Sequence, residues 1–367
     1  MKLLVSAPIS SLSFGNVAVN ILRELHKKNV ELVFFPIGDK VELEAYDKIN
    51  LDFVKYLQSS TNQRFEQIDK NIPSLKFWHI FGSESRYVKN QSLFTFHEVS
   101  EVTAIEKNLL NLQDNIFVTS NYTKKVFEIN GVQNVTYVPL GFDNDFHITN
   151  KTYLEDKVHF GLLGKFEGRK NTARIIKIWL KLFGNKPEYQ LSCAISNPFL
   201  EKARFQNEIL KVLDGKQYNN INFVPHMQTN SEVNDFLNSI DIDLGGLSGG
   251  EGWNLPSFNA TALGKWSVVL NATAHKDWAT ADNSILIEPS SLRDCHDGIF
   301  FKKGQAFNQG QFFDISDEEI ENAILKSVSY AKKINTEGLK LQSQFTYEKT
   351  VETLLSVISS QATQQMS

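Results

Sequence analysis

The sequence predicts an α/β protein with two parallel sheets, each covered by helices on both faces, and three observations lead there. Strand-like and helix-like segments alternate from one end to the other. At 367 residues the chain is longer than a single core usually grows. The alternation stops once, in the polar stretch 141–156, and then restarts, which marks a domain boundary. The expected domains are therefore residues 1–148 and 149–344.

In the first half, residues 3–7 read as a buried strand, and a Ser-rich loop (8–14) leads into a helix over 16–28. A strand at 31–36 follows. Residues 42–75 read as mostly helical, with Pro73 as a stop. Short apolar runs at 77–81, 92–96 and 115–119 read as strands, with a helix over 100–112 between the last two. A helix over 123–130 closes on Gly131, and 135–139 is the last strand of this half.

The second half reads as strands at 159–163, 189–195, 221–224, 242–247, 267–271 and 284–287. Helices are expected at 171–183, 200–213, 231–239 and 256–263, with tail helices over 317–334 and 347–358. The Gln/Ser-rich end, 359–367, is expected to fray.

Composition narrows the class. Hydrophobic residues make up 41% and charged residues 22%, as in ordinary globular proteins. A formal net charge of −4 argues against a dedicated nucleic-acid binder, so no stable nucleic-acid partner is expected. Cys193 and Cys295 are the only cysteines and belong to no CxxC or Cys/His cluster, so no zinc site or disulfide framework is expected. The opening Met-Lys-Leu-Leu-Val-Ser-Ala-Pro is too short for a signal sequence and reads as a strand; with so few cysteines, this suits the cytoplasm. The 27 Phe rings belong mainly to the core, but some could form an acceptor patch or a peripheral contact with the inner membrane face.

Two junctions carry chemistry, because open α/β sheets bind ligands where strand carboxyl ends meet helix N-termini. At the first, a strand ends on Gly164 and Lys165, Arg169 and Lys170 precede a helix. Cations and free backbone N–H groups would converge there on an anion such as a diphosphate; a solvated basic turn would look the same locally. At the second, Gly245, Gly246, Gly249, Gly250 and Gly252 surround Glu251, and Trp253-Asn254-Leu255-Pro256 opens a short helix. These glycines would let backbone approach a ligand, and the helix N-terminus would favour an anion. The loop is neither a Walker A nor a dinucleotide-binding Gly pattern.

In order, these junctions resemble glycosyltransferase family 4, a large retaining family with the GT-B fold of two Rossmann-like, doubly wound domains facing across a cleft. Lys165 and Lys170 resemble that family's basic pair, and Glu251 to Gly264 its E-G-x-x-L-P-x-x-E-A-x-A-x-G run. Val118 to Tyr122 and Val138 to Asp143 are similar to its S-x-x and V-P-N-G-V-D signatures, and 345–367 to its closing helix, which crosses back to the first domain.

The resemblance implies a hexosyltransferase-like enzyme taking a nucleotide-diphosphate sugar as donor and a glycan, lipid-linked or other hydroxyl as acceptor, with no metal and no cofactor. Lys165 and Lys170 would neutralise the diphosphate, with Arg169 and Gly164 beside it. Glu251 would contact donor-sugar hydroxyls, and Gly252, Trp253, Asn254 and Leu255 would hold sugar and phosphate oxygens. His97 occupies the place of a histidine near the donor sugar; alone, it would read as a hydrogen-bonded histidine at a strand end. Asn259 replaces the glutamate that usually holds the ribose, which leaves hydrogen bonding but removes charge. On the acceptor side stand Ser13, Phe14 and Gly15, although the serines of this loop could merely cap the helix. Acceptor choice would lie in residues 8–16 and 40–105. A nucleotide-sugar epimerase, a non-catalytic binding protein and a DNA-modifying glucosyltransferase are the rival readings.

Overall fold

A computed structural model describes residues 1–298 and 300–364, with side chains through 360. The chain forms two compact units, one of residues 1–145, 303–309 and 343–364, the other of 146–302 and 310–342.

The first unit contains β1 (Lys2–Ile9), α1 (Ser13–Lys27), β2 (Glu31–Val41), α2 (Leu51–Asn62), β3 (Pro73–Phe77), β4 (Asn90–Thr95), α3 (Ala104–Asn111), β5 (Asn115–Val118), α4 (Asn121–Ile129) and β6 (Val135–Tyr137). All six strands are parallel, in the order β2-β1-β3-β4-β5-β6. β1 is buried from Leu3 to Ile9, as a central strand covered on both faces must be. Pro36 is tolerated within β2 because that strand is an edge. Thr103 and Glu106 form a capping box on α3, and Ser120 caps α4.

The second unit contains β7 (Val158–Leu163), α5 (Thr172–Phe183), β8 (Tyr189–Ala194), α6 (Lys202–Val212), β9 (Ile221–Phe223), α7 (Asn230–Ser239), β10 (Ile242–Asp243), α8 (Leu255–Ala262), β11 (Trp266–Leu270), β12 (Ser284–Ile287), β13 (Ser291–Asp294), β14 (Gln311–Asp314) and α9 (Asp317–Ser327). Its main sheet is also six-stranded and parallel, in the order β12-β11-β10-β7-β8-β9. Phe160, Ile175, Ile176, Trp179 and Val268 lie at the heart of its core. The chain then runs through α10 (Thr336–Leu339), α11 (Leu341–Gln344) and α12 (Tyr347–Gln364). The Thr350 hydroxyl donates to the Pro139 carbonyl at 2.7 Å, and Lys28 pairs with Glu352 at 2.8 Å, so α12 is anchored within the first unit.

Both sheets reverse direction once. In the first, β1 leads outward to β2 while β3 starts the run to β6; in the second, β7 leads to β9 while β10 starts the run to β12. The switch points lie between β1 and β3 and between β7 and β10, and at such points the loops at the carboxyl ends of the strands diverge to leave a crevice.

Four local expectations change. β3 occupies 73–77 rather than 77–81, and Pro73 begins the strand instead of stopping a helix. The apolar run after Phe77 signals an aromatic cluster rather than a ladder. β10 is only two residues long, because its chain turns at Asp243, whose Oδ1 accepts the Gly245 N–H at 2.9 Å. The antiparallel pair β13–β14 has no counterpart in the alternating pattern, and the segment 303–309 between its strands belongs to the first unit. Finally, α12 continues to Gln364 through residues expected to fray; residues 365–367 of that expected tail lie outside the described residues. No described helix is long and apolar enough to cross a membrane.

α1 starts tight against the loop that follows β1. A Cβ on Gly15 would lie 2.1 Å from the Ser10 carbonyl oxygen, a contact with backbone that cannot swing aside. Gly15 is thus explained by packing. Gly15→Ala is expected to cost about 2–3 kcal/mol, read as a lower urea-unfolding midpoint; an unchanged midpoint would contradict it.

Candidate functional site

The second switch point is bridged by charge. The loop after β7 brings Arg169 and Lys170 to Glu251, which stands in the loop after β10. Lys170 Nζ lies 2.6 Å from Glu251 Oε1, and Arg169 Nη1 lies 2.9 Å from Oε2. The second terminal nitrogen of Arg169, Nη2, reaches Glu167 Oε1 at 2.7 Å. Glu251, Arg169 and Glu167 are all buried, and two positive charges there meet two negative ones. Burial pushes the Glu251 carboxyl up, but Arg169 and Lys170 outweigh it and hold the group well below the usual carboxylate range. Glu251 is therefore ionised and acts only as an acceptor.

Backbone geometry supports this cluster. The Lys170 stem lies over Gly164, where a Cβ would meet Lys170 Cδ at 3.0 Å and where φ is +153°. Asn171 takes a left-handed conformation before α5, and its amide donates to the Leu247 carbonyl at 2.8 Å, tying the two loops together. No side chain caps α5, so its first N–H groups stay available at the same edge. Gly249 serves packing rather than a ligand: a Cβ there would meet the Phe313 carbonyl oxygen at 2.3 Å.

The expected site residues separate into two groups. Gly164, Arg169, Lys170 and Glu251 converge. Lys165 does not join them; its ammonium lies over the rings of Phe199 and Phe300, 5.0 and 5.3 Å from their centroids. Gly252 is buried beside Glu251. Trp253 is a core residue, packed against Phe258, and its carbonyl accepts the Trp278 indole N–H at 3.0 Å. Asn254 is left-handed and caps α8, while Leu255 is the first residue of that helix. Asn259 is buried on α8, and its side-chain oxygen makes no hydrogen bond within the protein.

In the first unit, His97 is 2% exposed, its Nε2 lies 2.9 Å from the Glu101 carbonyl, and its ring packs on Phe127. Burial lowers its pKa, against the pull of Glu106, which favours the neutral ring just beyond the end of β4. Ser13 is exposed, whereas Phe14 is half-buried among aromatic rings.

Sequence reasoning missed His275. It is fully buried, with Nδ1 2.8 Å from the Leu270 carbonyl and Nε2 2.9 Å from the Asn254 amide nitrogen. A neutral ring satisfies both contacts: Nδ1–H donates to the carbonyl and Nε2 accepts from the amide. Asn254 in turn donates to the Gly245 carbonyl and accepts from Ser257 N, so His275 holds the turn that carries Glu251 into α8. The available signal was its place in the loop after β11, another strand carboxyl end.

The chain superimposes on sucrose-phosphate synthase from Thermosynechococcus elongatus with a TM-score of 0.68 and 12% identity, covering 98% of each chain. HepE from Anabaena, solved in complex with UDP-glucose, gives 0.65 at 11% identity over 98% of this chain and 100% of that one. A glycosyltransferase from Rickettsia africae ESF-5 gives 0.59 at 11% identity, with 98% of each chain covered. The fold is GT-B. At these identities the GT-B likeness is one of architecture, and no protein-family model and no curated protein matches the sequence.

Burial, despite the opposing pull of Glu251, pushes the His275 pKa down to about 4 from 6.5. The unfolded chain then binds a proton that the folded one refuses, so the stability tied to a neutral His275 is complete above pH 6.5 and is lost as pH falls toward 4. The loss is on the order of 3 kcal/mol. Relative to His275→Gln, the wild type is expected to lose stability across this window in urea titrations; parallel curves would contradict the assignment.

Proposed function

We propose that this chain is a retaining glycosyltransferase of the family 4 type, taking a nucleotide-diphosphate sugar as donor and using no divalent metal and no further cofactor. The observation that carries this reading is the Lys170–Glu251–Arg169 cluster across the second switch point, beside the uncapped start of α5. HepE shares the fold and holds UDP-glucose in its crystal structure, which makes UDP-hexoses the first donors to try.

The roles divide by charge. Lys170 and the N-terminal N–H groups of α5 face the diphosphate and stabilise the charge that builds on it as the glycosidic bond breaks. Lys165, held over two aromatic rings, supplies a further cation at the edge of the same loop. Glu251, kept ionised by its two partners, accepts hydrogen bonds from donor-sugar hydroxyls. Arg169, itself bound to Glu167 and Glu251, positions that carboxylate. The unpaired side-chain oxygen of Asn259 accepts from a ribose hydroxyl, a bond that its buried position otherwise lacks.

In the transfer step, the bond from the anomeric carbon to the diphosphate oxygen breaks, and the acceptor oxygen bonds to the same face of that carbon. The acceptor proton passes to the leaving phosphate. No second carboxylate is required as a nucleophile, unlike in retaining hydrolases. Among the described residues no His, Cys, Asp and Glu cluster has the makings of a metal site.

A binding protein without catalysis is the second reading. It is favoured by the cancellation of Arg169 and Lys170 by Glu167 and Glu251, which leaves less positive charge for a diphosphate than the loop's composition suggests.

The test is UDP release from a panel of UDP-hexoses, with thermal shift reporting donor binding. Lys170→Gln is expected to lower turnover roughly 10²–10³-fold while the protein still unfolds cooperatively. Turnover should survive EDTA, and NMR of the product should show the donor's anomeric configuration. Donor binding without UDP release favours the second reading; an inverted product or complete loss in EDTA removes the mechanism.

A further inference from the structure

The first unit has its own switch point, between β1 and β3, and a cluster of aromatic rings occupies it. Phe14, at the start of α1, lies at the centre. Its ring centroid is 4.6 Å from Phe96, 5.6 Å from Trp78 and 4.5 Å from His79, with Phe77 beneath at 4.9 Å. His79 stacks on Phe81 at 5.1 Å with 12° between the planes, and Phe307 meets the edge of Phe81 at 5.7 Å. These residues follow the carboxyl ends of β1, β3 and β4, or come from the 303–309 segment of the same unit. Phe81 is 46% exposed, and Phe14, Trp78, His79 and Phe96 are half-buried. The rings thus form an accessible ledge where the topology leaves a crevice, not a closed core.

The ledge has a polar rim. α1 carries no side-chain cap and no acidic residue in its first turn, so the first N–H groups of a 15-residue helix are available beside Phe14. Ser13 is exposed at the same helix start. Among the described residues no protein acceptor takes the Trp78 indole N–H, and no Lys or Arg head lies over the rings of Phe14, Trp78, Phe81, Phe96 or Phe307.

We propose that this ledge is a saccharide-binding site that stacks a pyranose ring, free or at the end of a larger molecule, on Trp78 and Phe81. A pyranose has one face of C–H groups and a rim of hydroxyls. The C–H face matches flat aromatic surface, whose rings pay little conformational entropy on binding. The hydroxyl rim matches the helix-start amides, the Ser13 hydroxyl and the indole N–H. A nucleobase would also stack, but single-strand sites pair stacking with cations that track phosphates, and none lies over these rings. An alkyl chain would leave the rim donors without acceptors.

In the transferase reading this saccharide is the acceptor, and only that assignment rests on it; binding itself does not. The experiment therefore omits nucleotide. Maltose, cellobiose, N,N′-diacetylchitobiose and α-1,6-mannobiose are titrated into the full chain by calorimetry, alongside phosphatidylglycerol vesicles. At least one disaccharide is expected to bind. Trp78→Ala and Phe81→Ala are each expected to weaken it roughly tenfold, with the exposed Phe81 position guarding against a variant that merely fails to fold. Absence of binding by all four disaccharides, binding indifferent to both substitutions, or vesicle binding lost in the same variants would overturn the inference. Disaccharide binding in a protein that never releases UDP would retain this site and remove only the acceptor role; UDP release without disaccharide binding would remove this site and leave the transferase reading standing.

Discussion

A carboxylate buried between an ammonium at 2.6 Å and a guanidinium at 2.9 Å imposes conditions on everything around it. Removing one partner of such a cluster leaves an unpaired charge out of water, which is far more costly than the pair itself is favourable. The loops after β7 and β10 must therefore stay in register. Several otherwise separate features serve that register: the bare Gly164 beneath the Lys170 stem, the left-handed Asn171 bonded to Leu247, and the neutral His275 that steadies Asn254. The same cluster keeps Glu251 ionised, so the structural constraint and the proposed chemistry are one arrangement.

The two units apply a common topological rule to different surfaces. Each six-stranded parallel sheet reverses its strand order once, and each places its distinctive residues at the carboxyl edge of that reversal. In the second unit those residues are charged; in the first they are aromatic. Charge suits a ligand whose leaving group gains negative charge, while aromatic surface suits a ligand with an apolar face. The proposed nucleotide-sugar donor and saccharide acceptor would fit this division.

Much of the fold was legible from periodicity. β1, α1, α5, β8, α7 and β11 lie within a few residues of their expected positions, because buried runs and amphipathic stretches report their own burial. The exceptions had a second physical cause. The apolar run after Phe77 looked like a strand because aromatic residues are strand formers, but the Trp78 and His79 rings pack on Phe14 instead. The β13–β14 pair was invisible because each strand is only four residues long and β13 is largely exposed.

Within the candidate site, residue types at strand ends were enough to single out Gly164, Arg169, Lys170 and Glu251. Sequence by itself determined the fold class, the alternation of elements and the loops that carry charge, since these depend on local pattern and on the rule that ligands gather at strand carboxyl ends. Only the tertiary structure decided which charges meet: Arg169 and Lys170 on Glu251, Lys165 over Phe199 and Phe300, His97 turned inward, and His275 brought beside Asn254 from 21 residues away. The physical reason is that a chain's pattern specifies how each segment buries its own face, whereas ion pairing and hydrogen bonding between loops depend on angstrom-scale distances that no one-dimensional pattern encodes.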